Sequence, residues 1–568
     1  MIRNLIDFTR RVSLLNSSPQ KSRSGLWSAV TMGIALMASI PVLTVLVNIF
    51  IPAGDVWAHL ASTVLPDYVE NSIWLMLGVG TGVFVLGVGT AWLVTMCRFP
   101  GRRLFNWALI LPMAVPAYLM AYTYTDFLSF TGPVQTLLRD QMEWQAGQYW
   151  FPEIRSLQGA MLMMSFVFYP YVYLLSRSAF LEQSVSLLEA SRSLGCTPFQ
   201  SFYKVALPLA RPSIAAGMAL ALMETLNDFG TVDYFGVQTF TTGIYRTWFG
   251  LGEPVAAAQL SAFLLLFILV LILIERWSRN KLGFRQQGSS GFKHMSSYQL
   301  SGWKKWGATL ACTTPLLFGF LIPVGILSEM MLSNLDTAVD SRFFQYGFNT
   351  LLVATAAGFL TLLIALVMAY GVRLNPTLPT RIATRIGSMG YAIPGSVIAV
   401  GVMIPFGWFD NTLDSWMRST FGISTGLIFS GTIVALIFAY LVRFLAVSFT
   451  TVESSLGKIT PNMDEAAEGL GYRFNKILRK VHIPMMKGSL FAAIMLVFVD
   501  VIKELPATLI VRPFNFDTLA VQVYRLASDE RLAESSGAAL AIVLVGIIPV
   551  IILSRSISRA RKSDFDKK

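Results

Sequence analysis

The chain has 568 residues, of which 54% are hydrophobic and only 13% charged, and its mean hydropathy is +0.59. Those proportions exclude a soluble protein of this length, whose surface needs far more charge, and suit a chain that crosses a membrane many times. The formal net charge of +12 would suit a nucleic-acid partner, but most of the Lys and Arg lie in loops on the side of the N-terminus, the positive-inside pattern of a membrane protein; no nucleic-acid partner is implied.

In chain order, twelve apolar runs lie near 26–51, 72–97, 105–128, 157–180, 213–235, 255–275, 306–331, 347–372, 386–408, 424–449, 489–510 and 537–554. Most are near the ~20 residues that cross a ~30 Å hydrocarbon core. The first is too long for a signal-peptide core and reads as a retained span. Pro112, Pro116, Pro170 and Pro394 stand inside spans, where a missing N–H favours a kink. Residues 276–301 are basic and rich in Gly and Ser, the composition of a linker. The expected organisation is a first lobe at 1–275 with a polar loop at 181–212, a linker at 276–302, and a second lobe at 303–568 with a loop at 451–488. An even number of spans per lobe makes the lobes parallel and keeps both termini and both loops cytoplasmic.

The two lobes are copies of one unit. Residues 189–208 read EASRSLGCTPFQSFYKVALP and residues 465–484 read EAAEGLGYRFNKILRKVHIP. Glu189 and Glu465, Gly195 and Gly471, Lys204 and Lys480, and Pro208 and Pro484 all align at a constant offset of 276. Asn71 and Asn349, and Pro116 and Pro394, align at 278; Tyr245-Arg246 and Tyr524-Arg525 align at 279. Within each loop a short helix is expected, ended by Gly195 or Gly471 in a left-handed cap, with Thr-Pro pairs at Thr197-Pro198 and Thr460-Pro461 as helix starts.

The EAxxxxxG pattern followed by an aliphatic-Pro, present twice, resembles the EAA loop of binding-protein-dependent ABC importer permeases, and the doubled chain resembles a fused permease of the ferric iron branch. The resemblance implies an all-α polytopic membrane protein, about twelve helices in two parallel pseudo-symmetric six-helix lobes of the type I importer kind, in a bacterial inner membrane. It implies that Glu189, Ala190, Gly195, Pro208, Glu465, Ala466, Ala467, Gly471 and Pro484 couple to two separate ATPase subunits. It implies a periplasmic or lipid-anchored substrate-binding protein as a further partner. The chain contains no G-x-x-x-x-G-K-[ST] run, so ATP and Mg²⁺ are expected on the ATPase partners, with no cofactor and no catalytic residue in this chain.

The span after each loop carries carboxylates. Glu224 and Asp228 in the first lobe align with Asp500 and Glu504 in the second at an offset of 276. Four residues apart, each pair is expected on one face of a continuous helix. Charge at membrane depth is costly, so a cation pathway, a water-filled cavity, a basic partner such as Lys503 or raised pKa values must offset it, and a structural ion-pair and hydrogen-bond network is the competing reading. The pathway reading makes these four carboxylates transient contacts for Fe³⁺, a hard cation that prefers oxygen ligands.

The other residues carry less. Cys97, Cys196 and Cys312 show no metal spacing and no disulfide framework, and His59, His294 and His482 are scattered. Tyr234, Phe235, Phe240, Tyr245 and Trp248 read as an aromatic belt, with contact to a partner as the alternative. The same machinery could carry thiamine or an organophosphonate. An ion-coupled secondary transporter is the rival from another class, and a membrane-embedded enzyme lacks any nucleophile–base or metal-ligand cluster.

Overall fold

In hydrocarbon every backbone N–H and C=O must be paired within the protein, which leaves helices as the default for apolar runs. The computed structural model describes residues 24–145, 147–183, 190–191, 193–280 and 298–565. Among them eleven helices are long and apolar enough to cross a membrane, or twelve if Arg102–Ala114 and Ala117–Met142, bent by 89°, form one span. The chain is an all-α polytopic membrane protein. Two residues of strand, Cys97–Arg98, pair in parallel with Tyr298–Gln299 at the end of the expected linker. Most of that linker lies outside the described residues.

Two compact units divide the chain, and each draws on both sequence copies. The larger comprises Pro41–Ala357, Ala392–Tyr440 and Phe498–Lys568. In it, helix Leu65–Met96 lies so close to helix Leu157–Glu182 that a Cβ on Gly87 would meet Val172 Cβ at 2.7 Å. Small residues at such crossings let helices approach where no hydrophobic effect drives them together. The repeat is visible in hydrogen bonds as well as in letters. Asn71 Nδ2 donates to the Gln238 carbonyl over 2.9 Å, and Asn349 Nδ2 donates to the Asp517 carbonyl over 3.0 Å.

The smaller unit comprises Met1–Ile40, Gly358–Tyr391 and Leu441–Val497. Trp27 meets Tyr370 edge-on with centroids 5.5 Å apart, and Asn375 Nδ2 donates to Ser28 Oγ over 2.8 Å. Its core gathers Leu445, Phe449, Val452, Met486 and Leu490.

Three expectations are corrected. Pro116 and Pro394 are not inside a helix: each stands immediately before one, Ala117–Leu128 and Gly395–Phe421, with ψ of 146° and 144°, and Pro116 lies at the 89° bend between Arg102–Ala114 and Ala117–Met142. Proline also holds its predecessor extended, as at Val115, so the preceding helical turn must end there. The runs near 213–235 and 489–510 are not continuous helices: Leu207–Asn227 and Ile483–Ile502 stop, and the separate short helices Gly230–Tyr234 and Pro506–Val511 follow. The aromatic group is not one belt: Phe235 and Phe240 are buried, while Tyr234, Tyr245 and Trp248 are half-buried. Phe240 is 1% exposed, and Tyr245 stacks on Phe229 with centroids 3.8 Å apart.

Candidate functional site: two loops and a buried polar centre

The two loops share a backbone design. In the first, Leu194 N–H donates to the Ala190 carbonyl and Cys196 N–H to the Ser191 carbonyl, each over 3.0 Å, around Gly195 at φ +83°. In the second, Leu470 N–H donates to the Ala466 carbonyl over 3.2 Å and Tyr472 N–H to the Ala467 carbonyl over 3.1 Å, around Gly471 at φ +79°. Both are left-handed glycine caps of the kind expected. A Cβ at either glycine would meet nothing within 4 Å, so the residue is set by φ and not by space. Each loop then runs through a π-helical turn, Phe202–Ala206 or Leu478–His482, into helix Leu207–Asn227 or Ile483–Ile502, whose second residue is Pro208 or Pro484.

Thr197 opens helix Pro198–Ser201, with Gln200 N–H donating to its Oγ1 over 3.3 Å. Helix Pro461–Gly469 carries Glu465, Ala466 and Ala467. Glu465 and Ala466 are exposed, and Ala467 is buried. Ala190 is exposed and Ser191 buried, the latter 2.8 Å from Ser201 Oγ. Glu189 lies outside the described residues. Leu194 and Leu470 occupy equivalent positions and are 84% and 77% exposed, so each loop presents a leucine beside its glycine.

One feature of the second loop escaped the sequence. Asp464, immediately before Glu465, is held from two sides: Arg373 Nε donates to its Oδ2 over 2.9 Å, and His482 Nε2 lies 2.7 Å from its Oδ1. Arg373 also donates to the carbonyls of Leu456 and Ile459, over 2.7 and 2.9 Å. At the repeat offsets the first lobe has Thr95, Leu188 and Ala206 at these three positions, so this clamp belongs to one lobe. A lone Arg at a span end and a scattered His gave no signal that they meet on one carboxylate.

The carboxylates of the two broken spans lie in the larger unit. Asp228 and Glu504 stand past the ends of their helices, so the expected single helical face with Glu224 and Asp500 does not exist. The reason is local. Asp228 Oδ1 accepts the N–H groups of Thr231 and Val232 at 2.9 and 3.3 Å, and Oδ2 accepts the Thr231 hydroxyl at 3.0 Å. Glu504 Oε1 accepts the Ala507 N–H at 2.8 Å. Each carboxylate caps the following short helix and offers the backbone an alternative to continuing the old one. Glu224 stays one turn inside helix Leu207–Asn227. Asp500 pairs with Lys503 at 2.8 Å.

Tyrosines complete this centre. Tyr524 donates to Asp233 Oδ2 over 2.9 Å, and Tyr245 donates to the Pro506 carbonyl over 2.9 Å. Asn227 Oδ1 accepts the Gly395 N–H at 2.8 Å. The segment after each loop is thus tied to elements of the other sequence copy. Among the described residues no group of three or more His, Cys, Asp and Glu is placed to hold a metal ion.

Residues 83–285 match the family described as "Binding-protein-dependent transport system inner membrane component". The chain carries a binding-protein-dependent permease domain. This permease is similar along most of its length to proteins of doubled size. It is 26% identical over 500 residues to the "Fe(3+)-transport system permease protein FbpB 2" of Haemophilus influenzae, covering 86% of this chain and 90% of that one. It is 24% identical over 505 residues to the "Ferric transport system permease protein FbpB" of Actinobacillus pleuropneumoniae, covering 84% and 70%. The "Sulfate transport system permease protein CysT" of Salmonella typhimurium is 29% identical over 209 residues, 35% of this permease but 73% of that protein. A match of that size is what one copy of a doubled chain gives.

Proposed function

We propose that this permease forms the translocation pathway of an ATP-driven importer of ferric iron, receiving it from a binding protein and driven by two separate ATPase subunits beneath its loops. The observation that carries the coupling is the repeated glycine cap with its exposed leucine at Leu194 and Leu470. Exposed apolar groups on a loop suit a protein partner's groove. The iron reading is supported by the names of the two relatives that run along most of the chain. Both loops and both termini lie in the cytoplasm on this reading, as the distribution of Lys and Arg favours.

The cargo crosses where the two copies interleave, past Glu224, Asp228, Asp500 and Glu504. Carboxylates there favour a cation over an organophosphonate, whose phosphonate would be repelled. ATP closure of the ATPase subunits moves the loops, and the short helices capped by Asp228 and Glu504 follow because each is joined to its loop by one span. Each ligand or partner must bind the inward- and outward-facing states unequally for this to drive transport.

The test is ⁵⁵Fe³⁺ uptake by cells with and without the chain, alongside thiamine and phosphonate uptake, with the tagged permease purified from the same cells. Iron uptake that depends on the chain, and an ATPase that co-purifies, are expected. Chain-dependent uptake of another solute overturns the iron reading. Purification without any ATPase, with uptake intact, supports the secondary transporter instead.

A further inference from the structure

Several buried tyrosines in the larger unit find a hydrogen-bond partner. Tyr124 donates to the Phe318 carbonyl over 2.6 Å, Tyr169 to the Leu109 carbonyl over 2.8 Å, and Tyr173 to the Asn106 carbonyl over 3.1 Å. Tyr118 and Tyr122 do not. Their residues are 4% and 0% exposed, and neither hydroxyl has a hydrogen-bond partner among the described residues. A buried hydroxyl left unpaired loses its hydration with nothing in return, so two adjacent cases need a reason.

Their position supplies one. They are four residues apart on helix Ala117–Leu128, which puts them on one face, and their ring centroids are 5.8 Å apart. That helix packs on the short helix Gly230–Tyr234, which Asp228 caps; a Cβ on Gly230 would lie 2.6 Å from Tyr118 Cβ and 2.9 Å from Leu505 Cδ2. The Tyr118 phenol sits in the electrostatic field of Glu504 and Asp228, and the Tyr122 phenol in that of Asp228 and Asp233. The repeat adds a third case. Ser396 stands at the 278 offset from Tyr118, is fully buried, and also has an unpartnered hydroxyl.

We propose that Tyr118 and Tyr122 are transient oxygen ligands for the trivalent cation in transit, completing with Asp228 and Glu504 a donor set that the carboxylates alone do not make. This rests on the ferric reading above. Phenolate oxygen is a hard, anionic donor that iron accepts as a protein ligand. Two phenols and two carboxylates would carry four negative charges when ionised, enough to offset three positive ones in a low-dielectric site. As each Fe–O bond forms, the phenol O–H gives its proton to solvent; iron stays trivalent and no electron moves. Asp228 keeps its capping bonds, because Oδ2 accepts only the Thr231 hydroxyl and has a second lone pair to offer. The set is incomplete, so the ion is held loosely and can leave.

The experiment uses the assembled transporter titrated with ferric citrate. A phenolate-to-iron charge-transfer band in the visible is expected, weakened in Tyr118→Phe and in Tyr122→Phe and abolished in the double variant. Iron uptake should fall about tenfold or more in each Phe variant, while assembly with the ATPase and basal ATP hydrolysis are retained. No band in the unaltered protein, or a band that survives in the double variant, overturns the site. So does unchanged uptake in both single variants. A chain without effect on iron uptake would instead overturn the reading on which the site rests.

Discussion

His482 and Asp464 meet at 2.7 Å, Nε2 to Oδ1, and so join the last turn of the second loop to the residue just before Glu465. With Arg373 on the other carboxylate oxygen, the helix that carries Glu465 is fixed to the end of span Leu335–Leu374. The loops share a backbone design, but only the second has this clamp.

Removing the clamp should therefore affect one loop and not its copy. Arg373→Met leaves Asp464 and the carbonyls of Leu456 and Ile459 short of a donor, at about 1–3 kcal/mol for each group left buried and unpaired. The Arg373 side chain is 17% exposed, so solvent replaces little of this. Thermal unfolding of the purified permease should start at a lower temperature, and binding-protein-stimulated ATP hydrolysis should drop. Thr95→Val, at the equivalent first-lobe position, should do neither, and Arg373→Lys should fall between.

The glycine caps predict an order of substitutions. With φ near +80° and no neighbour within 4 Å, the cost at Gly195 or Gly471 is backbone strain alone, about 1–2 kcal/mol for a residue with a Cβ. Stimulated ATPase activity of the assembled transporter should follow Gly, then Asn, then Ala, then Val at each position. Equal activity across the series would mean that the cap is not part of coupling.

At the broken spans, capping and charge separate cleanly. Asp228→Asn retains an oxygen for the Thr231 and Val232 N–H groups, and Glu504→Gln one for Ala507, so both proteins should fold and assemble normally. Iron uptake should nevertheless fall by about tenfold, because a neutral amide offers a cation much less than a carboxylate. Asp228→Leu should in addition lose about 1 kcal/mol of stability with the cap. Normal uptake by the amide variants would reduce both carboxylates to caps.

A packing test is independent of the transport reading. A Cβ on Gly401 would lie 2.3 Å from the Pro41 carbonyl oxygen, within the larger unit. Gly401→Ala should cost about 1–3 kcal/mol through forced backbone separation, read as a lower unfolding temperature. Gly407→Ala on the same helix meets nothing within 4 Å and should leave the temperature unchanged.

Much of this was legible in the letters. Hydropathy alone placed nearly every span, because the bilayer permits few other solutions, and the repeat at 276 predicted which glycines take the left-handed cap. The breaks after Asn227 and Ile502 were not legible by periodicity, since Asp228 and Glu504 fit a four-residue spacing as well as they fit capping. The competing backbone hydrogen bonds decide, and only geometry shows them. The clamp on Asp464 needs residues 91 and 18 positions away, beyond any local pattern. Nothing in the letters singles out Tyr118 and Tyr122; only their unpartnered hydroxyls do.

The most direct test of the coupling account is the side of the membrane on which the loops emerge. In a chain with Cys97, Cys196 and Cys312 replaced by Ser or Ala, Leu194→Cys and Leu470→Cys would each be probed with a membrane-impermeant thiol reagent in oriented vesicles. The account predicts that both label only from the cytoplasmic side and that both are shielded when the ATPase subunits are bound. Labelling of the two positions from opposite sides would contradict it.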